Sequence, residues 1–135
     1  MAAGYSGTPL IKKLGIKPGM KMLLIHPPDN YYQLLEANLS SQVCPKGETP
    51  DFIHLFASST AIFLREMKAL KPVCRANPGV MIWISWHKKA ARIETDITET
   101  VIRNYALAHE LVDVKVCAVS DAWSGLKLVV PLALR

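Results

Sequence analysis

Residues 20–29 read Met20-Lys21-Met22-Leu23-Leu24-Ile25-His26-Pro27-Pro28-Asp29, and this stretch decides the fold. Residues 20–25 are apolar except for Lys21. A run without alternation suits a strand covered on both faces, as in a parallel sheet. Pro27 and Pro28 break it, because proline has no backbone N–H to donate and restricts the residue before it. Asp29 can cap a helix over 30–37 that sets Tyr31, Leu34 and Leu35 on one side. A buried strand that passes directly into a helix is the start of an alternating β/α chain.

The same reading extends in both directions. Upstream, residues 5–15 predict a short helix, with Thr8 at the N-cap, Pro9 at the first position and Gly15 at the end. Pro18-Gly19 is a turn. Downstream, 38–50 is polar and turn-rich, with room for a short strand over 42–44. Residues 52–57 read as a second buried strand. Ser58 or Ser59 caps a helix running to about Leu70 through Ile62, Phe63 and Met67, and Lys71-Pro72 ends it. After the turn at Pro78-Gly79, residues 80–86 form the strongest strand, followed by a basic loop over 87–93. Asp96 with Glu99 fits an Asp form of the capping box, and Ile97, Val101, Tyr105 and Ala108 line one helical face. Residues 112–119 and 126–132, joined by the turn-rich 120–125, read as a β-hairpin. Alternating units of this kind imply an α/β fold with right-handed crossovers and helices on both faces of a mostly parallel sheet. Five to six strands are expected, the closing hairpin adding an antiparallel one.

A chain of 135 residues and 14.9 kDa, half of it hydrophobic, builds one ordinary domain over 1–135 with a real core. It is too apolar for a disordered chain and lacks the repeats of a collagen or coiled coil. The net charge of +5 slightly favours anionic partners. The basic residues are dispersed rather than set in a stripe, which argues against nucleic acid. Cys44, Cys74 and Cys117 are widely spaced and form no CxxC pair, so they read as reduced thiols and not as a metal site. The first residues show no basic segment followed by an apolar run, and the apolar run over 80–84 is far short of a membrane span. The cytoplasm is the expected location.

AGYSGTPLIKKLGIKPGM, PDFIHLF, WHKK, TDITE and DVKVCAVSDAWSGLKLV together resemble a family of small, mostly bacterial proteins grouped as a domain of unknown function. Relatives carry WPKK followed by Ser-Gly, where this chain has His87 and Ala90-Ala91. The strands after GIKPGM, at DFIHLF and in NPGVMIWIS, with the terminal hairpin, also resemble a shortened class I methyltransferase. The implied architecture is a three-layer Rossmann-like fold. In that class a glycine-rich turn follows the first strand, so that backbone can approach the cofactor closely. Here the turn is His26-Pro27-Pro28-Asp29-Asn30, without glycine. The expectation is a methyltransferase-like shell with its cofactor loop lost, and no cofactor.

Open parallel sheets bind ligands outside the carboxyl ends of their strands. Those ends should carry His26 and Asp29, Ser58, and Trp86, His87, Lys88 and Lys89. Lys88, Lys89 and Arg92 beside an indole can hold a phosphate, a carboxylate or a base. Trp123, placed in the hairpin turn, is a second exposed aromatic, whereas Trp83 reads as core. Ser58 lacks the glycines of a nucleophile elbow and reads as a cap. His54 falls inside a strand and reads as a hydrogen-bonded core residue. No catalytic or metal-binding constellation stands out. The apolar tail 126–134 looks like an edge strand, blunted by Pro131, that could support a homodimer. The leading expectation is a non-catalytic module that binds a small anionic ligand or a protein partner at this rim. The alternative is a divergent S-adenosylmethionine-dependent methyltransferase or another small-molecule transferase.

Overall fold

The computed structural model describes residues 8–45 and 47–135. The expected start of the first helix at Tyr5 lies outside the described residues. The elements run α1 (Leu10–Leu14), β1 (Met22–Ile25), α2 (Tyr31–Leu35), β2 (Phe52–Phe56), α3 (Thr60–Ala76), β3 (Met81–His87), α4 (Glu99–Ala108), β4 (Val112–Ala118) and β5 (Trp123–Val129), with short 3-10 turns between and after them. One five-stranded sheet has the order β1-β2-β3-β5-β4. The β1–β2 and β2–β3 pairs are parallel; β3–β5 and β4–β5 are antiparallel. Four strands therefore share a direction and β5 alone opposes them, so half the pairings of this mixed sheet are antiparallel. Among the described residues the sheet has no sixth strand. The expected strand over 42–44 reduces to a single parallel bridge between Val43 and Met22 on the outer side of β1. The Cys44 N–H still donates to the Met22 carbonyl at 2.7 Å, but Pro45 has no backbone N–H with which to extend the ladder.

The apolar runs of β2 and β3 are buried as the sequence predicts, whereas β1 stands at a sheet edge and buries only Met22, with Leu23, Leu24 and Ile25 half-buried. Every residue of β2 is buried, and so are Ile82 to Trp86 in β3. Successive side chains point to opposite faces. Ile53, Leu55, Ile82 and Ile84 pack with Phe63, Met67 and Leu70 of α3 and with Ile102 and Ala106 of α4. Phe52, Phe56 and Trp83 pack instead with Leu10 and Leu14 of α1 and Tyr31 and Leu35 of α2. Each such side chain contributes about 1.5–3 kcal/mol on full burial.

Four local expectations fail for identifiable reasons. Helix α3 does not stop before Pro72 but continues to Ala76, with Pro72 inside it. The Lys68 carbonyl loses its helical partner there, but Val73 and Cys74 gain packing against the core. Asp96 does not cap α4. Thr98 does, accepting from the Val101 N–H at 3.3 Å, and the buried stripe shifts to Ile102 and Ala106. Trp123 lies not in the hairpin turn but at the start of β5, paired with His87. The segment 126–132 is not an edge: β5 lies between β3 and β4, so β1 forms one edge of the sheet and β4 the other. The β4 edge has a register shift between Asp113 and Lys115, a device that disfavours pairing with another strand.

Gly125 is buried where β5 crosses Trp83. A Cβ added there would lie 3.0 Å from Val119 Cγ2 and 3.2 Å from Trp83 Cε3. Gly125→Ala should therefore lower stability by about 1–3 kcal/mol in denaturant titration. An unchanged midpoint would show that the Trp83 ring has freedom to move.

Candidate functional site

The parallel register brings the carboxyl ends of β1, β2 and β3 to one rim, as expected from the sequence. His26 leaves β1 with φ of 54°, in the left-handed region. Its Nε2 lies 3.0 Å from Glu66 Oε2 on α3, and Arg65 bonds the same oxygen. The His26 contact is the main reason the Glu66 carboxyl is held below its ordinary range. Asp29 is exposed beyond it. Ser58 is also exposed, and its carbonyl accepts from Thr95 Oγ1 at 2.8 Å. The cap of α3 is Ser59, whose Oγ accepts from the Ile62 N–H at 3.2 Å.

The β3 exit differs more from expectation. Trp86 is only 9% exposed and packs in the core, so its indole is not offered to a ligand beside the lysines. His87 stacks on Trp123 with ring centroids 3.9 Å apart, and Phe56 meets the same indole edge-on. Trp123 is thus half-buried rather than free. Burial lowers the His87 pKa and keeps the ring neutral, and its buried Nδ1 has no hydrogen-bond partner among the described residues. The Lys88 N–H bonds the Ala122 carbonyl at 2.8 Å, anchoring the segment that follows. Lys89 and Arg92 are exposed. Among the described residues, none of Lys88, Lys89 and Arg92 forms an ion pair.

A nucleotide cofactor would need free backbone amides at this rim. The β1–α2 turn supplies few: two of its residues are prolines, none is glycine, and the Tyr31 N–H is spent on the Pro28 carbonyl. At α3 the Thr60 N–H donates to Asp96 Oδ1 at 2.7 Å, and Thr60 Oγ1 returns a bond to the Asp96 carbonyl. A carboxylate of the chain itself therefore occupies the position an incoming phosphate would take, and these bonds hold Asp96 below its usual pKa. The residues present do not fit a nucleotide's phosphates. Among the described residues, no group of three or more His, Cys, Asp or Glu side chains could hold a metal ion.

His54 is fully buried. Its Nδ1 meets Tyr31 Oη at 2.9 Å and its Nε2 meets Ser85 Oγ at 2.7 Å. A neutral imidazole offers one donor and one acceptor, and both partners are hydroxyls, so either tautomer is satisfied. With His54 and Ser85 fully buried and Tyr31 2% exposed, the three form a polar brace within the core.

One feature of ligand size escaped sequence reasoning. A cleft of about 500 Å³ lies at the opposite end of the sheet, between the last turns of α3 and α4. Its residues come from 67–78, 105–111 and 130–134, and no short motif joins them. The available signal was Lys71 and Arg75 four residues apart, which share a helix face only if α3 continues through Pro72.

Among the described residues, no helix is long and apolar enough to cross a membrane. No protein-family model matches the chain, and no curated protein matches it. The chain is similar to the crystal structure of a protein in the NADB-Rossmann superfamily from Streptococcus agalactiae, with a TM-score of 0.53 and 11% sequence identity. The match covers 90% of this chain and 67% of that one. At that identity the likeness speaks to architecture alone. The chain has a Rossmann-like α/β fold, with an antiparallel strand set into its sheet.

Proposed function

We propose that the chain is a non-enzymatic binding module of the cytoplasm that docks an acidic protein surface through its rim segment 86–92. The observation that carries this reading is the set Lys88, Lys89 and Arg92, without ion-pair partners among the described residues, on an anchored segment. Cations without an internal counter-charge attract an external one. Trp86 is turned inward, and His87 already stacks on one face of Trp123. Charge beside one buried and one already stacked indole suits an extended acidic surface better than a small anionic ligand, which remains the narrower form of the same reading. The reading includes membership of the small bacterial family resembled by the opening and closing blocks. It also includes a three-layer arrangement, supported by the division of core side chains between two clusters.

Immobilised poly-glutamate at low ionic strength is a direct probe. Wild type should bind with an affinity that falls as salt rises, and the triple reversal Lys88→Glu, Lys89→Glu, Arg92→Glu should weaken binding at least about tenfold. Equal binding by the triple variant would remove the segment from the interface. Tighter binding to single-stranded DNA than to poly-glutamate would favour a nucleic-acid module instead. Calorimetry tests the rival transferase: micromolar binding of S-adenosylmethionine would overturn the non-enzymatic reading.

A further inference from the structure

The cleft between the last turns of α3 and α4 is independent of the rim and lies at the other end of the strands. Its volume of about 500 Å³ falls within the range of small-molecule sites. Met67, Leu111 and Val130 supply an apolar floor. Tyr105 forms a wall with little freedom: its ring meets Phe63 edge-on, with centroids 5.2 Å apart, and stacks on His109 at 3.9 Å. Lys71 and Arg75 stand one helical turn apart at the mouth. Neither forms an ion pair among the described residues. Unpaired cations over an apolar floor match a ligand with the inverse layout, a negative head on an apolar body.

The charge balance narrows the class. Glu110 lines the same cleft and offsets one of the two cations, leaving a single net positive charge among Lys71, Arg75 and Glu110. Both helices also end here, so their partial negative ends face the site. A dianionic phosphate is poorly matched to that field; a monoanion is well matched. Burial raises the pKa values of Cys74 and Tyr105, so neither adds negative charge near neutrality. We propose that this cleft binds a small monocarboxylate with an aromatic or short apolar body, its carboxylate between Lys71 and Arg75 and its body against Tyr105, Met67 and Val130.

The test uses the full chain, isotope-labelled, with 3-phenylpropionate as the probe and amide chemical shifts as the readout. Saturable shifts confined to 67–78, 105–111 and 130–134 are expected. Lys71→Gln with Arg75→Gln should weaken binding at least about tenfold while leaving the other resonances in place. The amine analogue 3-phenylpropylamine should not saturate the site, and phenethyl phosphate should bind no more tightly than the carboxylate. Absence of saturation in the millimolar range, equal binding by the amine, or unchanged binding by the double variant would overturn the proposal. Tighter binding of the phosphate would overturn the monoanion assignment. Shifts centred on 86–92 would move the ligand to the rim and overturn the cleft, whereas failure of the poly-glutamate experiment would leave the cleft untouched.

Discussion

Truncating Trp83 to alanine should remove about 3–5 kcal/mol of unfolding free energy, the largest loss expected from a single substitution in this chain. Trp83 is fully buried at the centre of β3 and packs with Leu14, Phe52 and Phe56. Its Nε1–H donates to the Leu14 carbonyl at 2.9 Å. The ring therefore ties α1 to the sheet across 69 residues of sequence. Removing it leaves a cavity, and the buried carbonyl loses its partner. Trp83→Phe separates the two effects. It keeps most of the apolar volume but not the donor, and should cost about 1–3 kcal/mol. Thermal or denaturant unfolding reads both values. In Trp83→Phe, amide exchange should also rise in α1 before the rest of the sheet. A phenylalanine variant as stable as wild type would mean that the indole hydrogen bond holds nothing in place.

Acidification should produce the second large effect, centred on His54. Burial pushes its pKa down to about 3, from an ordinary value of 6.5. The unfolded chain therefore binds a proton that the folded chain refuses between those two values. Unfolding is favoured as pH falls through 6.5, with a slope approaching about 1.4 kcal/mol per pH unit. Between pH 7 and pH 5 the expected loss is about 2 kcal/mol. His87, lowered by burial as well, acts in the same direction. The contribution is fully present above 6.5 and is lost towards the folded-state value. His54→Asn should flatten the profile over this window even though it lowers stability at every pH, because Tyr31 and Ser85 lose their fitted partner. The slope, not the absolute stability, is the readout. An equally steep profile in the variant would assign the acid sensitivity to other groups.

Much of this molecule was legible because some signals are local. The apolar runs that became β2 and β3 are buried on both faces, and the breaks at Pro27-Pro28 and Pro78-Gly79 act through the backbone itself. The core placements of His54 and Trp83 followed from their positions inside those runs. Other features were not legible, because distant contacts outweighed local preference. Pro72 is a helix breaker by propensity, yet packing of Val73 and Cys74 carries α3 past it. Asp96 reads as a cap for the helix just ahead of it, but its carboxylate reaches back 36 residues to Thr60. Trp86 and Trp123 looked available, since nothing in the sequence states that one faces the core and that His87 stacks on the other.

The order of residues thus determined that this chain alternates buried strands with helices and that its first strand meets a turn of prolines instead of glycines, since backbone donors and φ preferences belong to each residue alone. Only the tertiary structure decided which strands stand at the sheet edges, which carboxylate fills the α3 N-terminus and where a ligand-sized hollow opens. Those outcomes depend on pairing and packing between segments tens of residues apart, and the free energy that selects them exists only once the segments meet.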